Sequence, residues 1–319
     1  MYYLGIDLGG THIAAGIVDE NMKIIAKGST PTNLPRPHIE VMQDIADLSK
    51  CLLAEASIDL SEIGWVGVGT PGTANRKTGV VEYSNNIRFD NYPLKEVLEK
   101  LINKKVYIEN DANCAAYGEY MAGAAKGAES AVVVTLGTGV GGGVIVNDTI
   151  INGYNFAGGE LGHHVIEYNG RDCNCGRKGC WESYSSATAL ISMTKEAMQN
   201  DKESLMWGIT EGDIDKTSGK TAFDAMRLGD KAGIAVVDKY ISYLACGLTN
   251  VINIFQPEIL CIGGGISKES DYLLKPLNVI IEKEHYSHNC IKQTKLCIAQ
   301  LGNDAGIVGA AMLGKLELI

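Results

Sequence analysis

The chain lacks the marks of a secreted, membrane-spanning or nucleic-acid-binding protein. It opens Met1-Tyr2-Tyr3-Leu4-Gly5, with no basic stretch, apolar signal core or cleavage site, so a cytoplasmic location is expected. No run reaches the ~18 apolar residues that a membrane span needs, so no membrane partner is expected. Positive charge is scarce: 28 Lys and Arg face 38 Asp and Glu, a formal charge of −10, and no basic stripe invites nucleic acid. Low-complexity linkers and charge blocks are missing too. A disulfide scaffold is a poor fit, because Cys51, Cys114, Cys246, Cys261, Cys290 and Cys297 are scattered and read as reduced core thiols.

What the chain has is apolar material, 45% of 319 residues, and glycine, 38 residues against a usage near 7%. The length suggests two domains. Apolar runs at Tyr2–Asp7, His12–Val18 and Met22–Ala26 read as strands separated by turns. Val41, Ile45, Leu48 and Leu52 lie on one helical face; Ile63–Gly69 returns to strand, Leu94–Leu101 to helix and Val106–Glu109 to strand. Further on, Ile234 to Phe255 repeats at intervals of 3 and 4 as one long helix, Ile259–Ile262 and Leu296–Ala299 are strands, and Asp304–Leu313 is a closing helix. The expected plan is α/β with two domains and a cleft: residues 1–117 plus 303–319, and residues 118–302, the final helix packing back on the first domain.

The opening pattern recurs. Gly5–Val18 can be laid on Val133–Val146 without a gap, with Leu8/Leu136, Gly9/Gly137, Ile17/Ile145 and Val18/Val146 identical. A strand entering a glycine turn points several backbone N–H groups the same way, a nest suited to phosphate. Two such turns, with Gly263-Gly264-Gly265 as a third glycine element, could grip a triphosphate from opposite walls. Two tempting motifs fail on context. Gly137–Gly142 fits GxGxxG but leads into a strand, where a dinucleotide fingerprint must open a helix. Gly219-Lys220-Thr221 lacks both the first glycine and the preceding strand of a Walker A loop.

Leu4-Gly-Ile-Asp-Leu-Gly-Gly-Thr11, Glu109-Asn-Asp-Ala-Asn113, Leu136-Gly-Thr-Gly-Val-Gly-Gly-Gly143 and Cys173-Asn-Cys-Gly-Arg-Lys-Gly-Cys180 occur in this order. Together they resemble the ROK family of sugar kinases and repressors, within the actin/Hsp70/hexokinase (ribonuclease H-like) superfamily. The resemblance covers essentially the whole chain. It implies ATP-dependent phosphorylation of a hexose, with glucose favoured because Gly159–His163 and Cys180-Trp181-Glu182 match the pattern of the family's bacterial glucokinases. The fructokinase branch shows His-Pro-Glu where this chain has Gly158-Gly159-Glu160. N-acetylmannosamine or N-acetylglucosamine kinase is the alternative, since the pattern around Glu160 is shared. The repressor branch needs a helix-turn-helix before the first glycine turn, which here begins at Leu8. An actin- or Hsp70-like ATPase without a small substrate is countered by the cysteine motif.

Phosphoryl transfer asks the protein to position the partners, neutralise phosphate charge and accept the nucleophile's proton. Asp111, following the Val106–Glu109 strand, suits the last task, whether or not it also N-caps the next helix; similarity to the family assigns it as general base. The resemblance makes Asp7 a partner of Mg²⁺ on the phosphates, through water, with Gly9, Gly10, Thr11, Gly137, Thr138, Gly139, Gly264 and Gly265 holding the nucleotide. Cys173, Cys175 and Cys180, spaced C-x-C-x4-C, and a histidine ten residues upstream make a closed Cys₃His set, the structural type for Zn²⁺. The family's Glu-x-Gly-His pattern selects His163 over His164 as that ligand. With no open coordination position the zinc would pin a loop rather than do chemistry, and would orient the sugar pocket indirectly. Sugar contacts are implied at Gly72, Asn86, Asn110, Asp111, Glu160, His163 and Glu182, and a homodimer is expected from the family habit. Sugar binding between the domains is expected to close the cleft and exclude water.

Overall fold

The computed structural model describes residues 1–317. Strands β1 (Tyr2–Leu8), β2 (His12–Asp19) and β3 (Ile24–Pro31) form a meander, followed by α1 (His38–Ala56), β4 (Ile63–Thr70), β5 (Thr73–Asn75), β6 (Val80–Ser84), β7 (Phe89–Tyr92), α2 (Leu94–Ile102), β8 (Val106–Asn110) and α3 (Asp111–Ala122). The third strand starts later than its apolar run suggests, because Met22 takes a left-handed turn conformation (φ 65°) and Asp19 caps the turn through the N–H groups of Asn21 and Lys23. The small sheet β5-β6-β7 was not foreseen.

The chain continues through β9 (Ser130–Leu136), β10 (Val140–Val146), β11 (Thr149–Ile150), α4 (Glu182–Ser185), α5 (Ala187–Asn200), α6 (Met206–Ile209), α7 (Thr221–Arg227), α8 (Lys231–Phe255), β12 (Ile259–Gly264), α9 (Asp271–Glu284), β13 (Lys295–Ile298) and α10 (Ala305–Met312). The internal repeat holds at the level of elements: Leu8 and Leu136 end the first strand of each pair, and His12 and Val140 begin the second. The sheets share one order as well. The first runs β3-β2-β1-β4-β8 and the other β11-β10-β9-β12-β13. In the first, β1 pairs antiparallel with β2 and parallel with β4, and β4 pairs parallel with β8; in the other, β12 and β13 are parallel. This order is that of the ribonuclease H-like fold expected from the sequence.

By its contacts the chain divides into one unit of residues 1–133, 143–159 and 300–319, and another of residues 134–142 and 160–299. The boundary expected at 117/118 falls inside α3, which packs against α10 within the first unit; a Cβ on Gly118 would lie 2.1 Å from the Ala305 carbonyl oxygen. The core of the first unit gathers Leu4, Ile6, Ile13 and Ile17 from the meander, Val41 and Ile45 from α1, Val66 and Val68 from β4, and Leu94 and Leu98 from α2. Helix α10 lies directly on strand backbone: a Cβ on Gly5 would fall 2.0 Å from the Ile307 oxygen, and one on Gly67 1.7 Å from the Ala310 oxygen. Part of the glycine excess therefore serves helix–sheet packing rather than ligand turns. The core of the second unit is built from α8 (Val237, Tyr240, Ile241, Leu244, Leu248), α5 (Leu190, Met193), Phe223, β12 (Leu260, Ile262) and α9 (Leu273, Leu277). Among the described residues no helix is long and apolar enough to cross a membrane.

Candidate active site

In the first unit the strand ends of the sheet place the acidic groups. Asp7 is the last residue but one of β1, and its carboxylate lies over the start of α10, where a Cβ on Gly306 would come within 2.7 Å of its oxygen. Asp111 begins α3, directly after β8. The helix cap is Asn110 rather than Asp111: the Asn110 side-chain oxygen accepts the N–H groups of Ala112 (2.9 Å) and Asn113 (3.2 Å), filling the orphan donors of a first turn. Its amide nitrogen donates to the Gly72 carbonyl at 3.2 Å. Asp111 is thereby free to turn its carboxylate elsewhere, keeping one bond from the Ala112 N–H at 2.9 Å.

Burial pushes the Asp111 carboxyl above the usual range. Asp7 is pushed up to about 6, by burial first and by the charge of Asp111 second. Two carboxylates sharing one low-dielectric place is the arrangement a cation relieves. Gly72 (φ 95°) sits where a Cβ would meet the Tyr83 oxygen at 2.0 Å, so only glycine lets this loop approach β6. Asn86, in the exposed loop between β6 and β7, neighbours the first glycine turn, its Cβ 3.5 Å from where one on Gly10 would be.

The two glycine turns are held by their carbonyls. In the first, Thr32 donates its hydroxyl to Gly9 and its N–H to Thr11, both at 2.8 Å. In the second, the Ala187 N–H donates to Gly137 and the Thr188 hydroxyl to Thr138, again at 2.8 Å. Among the described residues, the N–H groups of Gly10, Thr11, Thr138 and Gly139 meet no protein acceptor. Each turn thus presents the donors of an anion nest. Gly264 (φ 84°) leaves no space for a side chain beside Leu136, 2.3 Å from that carbonyl oxygen, whereas Gly137 and Gly265 have open space around them.

In the second unit His163, Cys173, Cys175 and Cys180 bring their ligand atoms within 4.8 Å of one another. Cys173 Sγ lies 3.6 Å from His163 Nδ1, and Cys175 Sγ 3.6 Å from Cys180 Sγ. A tetrahedron with Zn–S bonds of about 2.3 Å has edges of about 3.8 Å, so these two pairs stand close to zinc spacing. His164 is turned away, its ring 5.1 Å from that of Trp181. Apolar anchoring supplements the cluster: Trp181 is fully buried on α8 at Gly247 and donates its indole N–H to the Tyr243 carbonyl at 3.1 Å. Glu182 follows at once, and its carboxylate accepts the Val140 N–H at 2.9 Å. A cavity of about 310 Å³ next to it is lined by Thr138, Arg171, Asn174, Ser186 and Thr188. Glu160 is exposed just before the 3₁₀ turn that carries His163.

Sequence reasoning passed over several polar residues. Glu109 is completely buried and bonded to Asn113 and Asn152, facing Arg76. Glu119, also buried, accepts the N–H groups of Ala124, Gln300 and Leu301, tying α3 to the segment that leads into α10. Both belong to strings that could be read as motif (Glu109-Asn-Asp) or as an ordinary helix glutamate, and their partners lie far away in sequence.

A model of the ROK family matches residues 3–317. The glucokinase of Thermotoga maritima is 38% identical, the alignment covering 98% of this chain and 96% of that one. The glucokinase of Halalkalibacterium halodurans is 36% identical over 98% and 95%. Among solved structures, a ROK family glucokinase from Streptomyces griseus in complex with glucose and AMPPNP superposes with a TM-score of 0.82 at 32% identity, covering 98% of this chain and 99% of that one. A family model spanning almost every residue and relatives above 30% identity over nearly the full length agree: the chain is a member of the ROK family.

Proposed function

We propose that this chain is an ATP-dependent hexose kinase with glucose as its acceptor, moving the γ-phosphoryl group of ATP onto the sugar 6-hydroxyl to give glucose 6-phosphate and ADP. The observation that carries the reading is Asp111, held at the start of α3 by the Asn110 cap, with its carboxylate tied, among the described residues, only to the Ala112 N–H. A sugar hydroxyl is too weak an acid to be deprotonated beforehand, so its proton must pass to a base as the new P–O bond forms. Asp111 takes that proton. Burial raises the proton affinity of this carboxylate above that of an ordinary aspartate.

Asn110, Asp111, Gly72, Asn86, Glu160, His163 and Glu182 contribute sugar contacts. Amides and carboxylates suit a small polyol, because a pocket built to pair hydroxyls is penalised by analogues that lack them. The nucleotide's phosphates take the N–H groups of the turns at Gly9-Gly10-Thr11 and Gly137-Thr138-Gly139, with Gly264 and Gly265 beside the nucleoside. Asp7 would hold Mg²⁺, which would neutralise phosphate charge. His163, Cys173, Cys175 and Cys180 would hold zinc, which would supply rigidity to the loop that ends in Trp181 and Glu182. The protein acts in the cytoplasm as a homodimer, in sugar breakdown by glycolysis.

A coupled assay of ADP release across glucose, mannose, fructose, N-acetylmannosamine and N-acetylglucosamine tests the reading. Glucose should give the highest kcat/KM. Release of ADP that no sugar stimulates would end it.

A further inference from the structure

The Glu109 carboxylate at the end of β8 has every approach occupied. One oxygen accepts the Asn110 N–H at 2.9 Å and the Asn113 side-chain amide at 3.1 Å. The other accepts the Asn152 amide at 3.3 Å and faces Arg76 Nε at 3.6 Å. Arg76, mostly buried itself, reaches onward to Glu317 at 3.7 Å. Glu109 is wholly inaccessible, so it cannot bind a ligand, and a buried carboxylate with one cationic partner is an expensive feature to carry for stability alone.

What it holds is the peptide between Glu109 and Asn110. That peptide sets the direction of Asn110, whose side chain caps α3 with its oxygen and reaches the Gly72 carbonyl with its nitrogen. The next residue is Asp111. The Asn113 amide donates to Glu109 while its own oxygen, buried, has no partner, so the charge on Glu109 decides how this amide lies.

We propose that the Arg76–Glu109 ion pair is the positioning device of the site, fixing the Asn110 peptide so that Asn110 and Asp111 present their side chains in working geometry. The inference rests on the hexose-kinase reading for its kinetic consequence, while its structural consequence stands by itself. Misplacement of a reacting group by about 1 Å costs on the order of a hundredfold in rate.

The test compares the full-length parent with Glu109→Gln, Arg76→Lys and the double variant, through kcat, the KM values for glucose and ATP, and crystal structures. Glu109→Gln should lower kcat by about tenfold to a hundredfold with both KM values within about threefold, a split that general loosening of the fold would not give. Arg76→Lys should lower kcat in the same direction by a smaller factor. The double variant should fall no further than Glu109→Gln alone, as two members of one pair should. In the crystal, the Asn110 amide should leave the Gly72 carbonyl. Parent-like kcat in a folded Glu109→Gln overturns the proposal; if that variant does not fold, parent-like kcat in Arg76→Lys does so. Should the parent phosphorylate no hexose, the functional reading fails instead. The crystal structures then decide alone, and an unmoved Asn110 and Asp111 in the variants would refute the positioning role.

Discussion

The Glu182 carboxylate accepts the Val140 N–H at 2.9 Å, and a Cβ on Gly139 would lie only 2.2 Å from the same carboxylate. The residue that follows the cysteine cluster and its buried tryptophan is thus fastened to the second glycine turn. A methyl group at position 139 has to displace the carboxylate. Gly139→Ala should therefore raise the KM for both glucose and ATP, by roughly tenfold to 150-fold each if the bond to Val140 is worth the 1.5–3 kcal/mol of a charged hydrogen bond. Steady-state kinetics with each substrate varied in turn will read this, and a change confined to one KM would separate the two roles of Glu182.

Asp111→Asn keeps the shape of the first turn of α3 and removes the proton acceptor. Turnover should drop by about 10²–10⁴-fold, the range for a lost general base. Glucose affinity, followed calorimetrically, should remain near that of the parent. A folded Asp111→Asn protein with near-normal kcat would leave the chemistry without its base.

Asp7 carries a pH signature. Its carboxyl is pushed up to about 6 in the fold, chiefly by burial and then by Asp111, whereas an unfolded aspartate titrates near 3.9. Between about pH 4 and 6 the folded protein keeps a proton that the unfolded chain has released. The stability this carboxyl contributes is therefore complete below about pH 4 and is lost as pH rises through 6. The loss is at most about 3 kcal/mol for a shift of two units. Asp7→Asn should flatten that decline, so urea midpoints of variant and parent should diverge between pH 4 and 8 in favour of the variant. Parallel curves would show that Asp7 is ionised at its ordinary pH. Under the proposed magnesium role, which requires the ionised form, activity should run the other way: kcat/KM for ATP should fall on acidification through 6.

Zinc should be present at one equivalent and should matter locally. Four donors within 4.8 Å of one another, three of them thiols, should gain much of their order from a bound metal. Chelation, or Cys175→Ser, should expose the Arg171 to Lys178 stretch to trypsin and raise the KM for glucose by about tenfold or more, the usual cost of a lost supporting contact. Trp181, anchored on Gly247 and Tyr243, should keep α8 and its surroundings folded, so bulk helicity should change little. Metal-free protein that binds glucose unchanged would remove zinc from the account of the pocket.

Features written in short stretches of sequence were legible. The C-x-C-x4-C run, the 3-and-4 spacing along α8 and the repeated strand–turn–strand each depend on residues a few positions apart, and each stands where expected. Features that depend on distant partners were not. Gly5 and Gly67 lie inside apolar strand runs, and nothing nearby in sequence explains their missing side chains until α10, arriving more than two hundred residues later, is seen resting on their backbones. Asn110 and Asp111 are both good helix caps, and adjacency alone could not say which would cap. Glu109 reads as a strand residue because Arg76 and Asn152 come from elsewhere in the chain. The strands β5, β6 and β7 are too short to show a clear period.

The placement of α10 has a bearing on biosynthesis. Residues 305–312 cover the bare glycine backbone of β1 and β4, yet they leave the ribosome after all of 160–299. The half of the protein that is translated first therefore waits, its sheet uncovered on one side, until the other half has already been made. Synthesis that stalls between 299 and 305 releases a chain whose early half has no lid for that surface, and chaperone demand should peak in this interval rather than at its start.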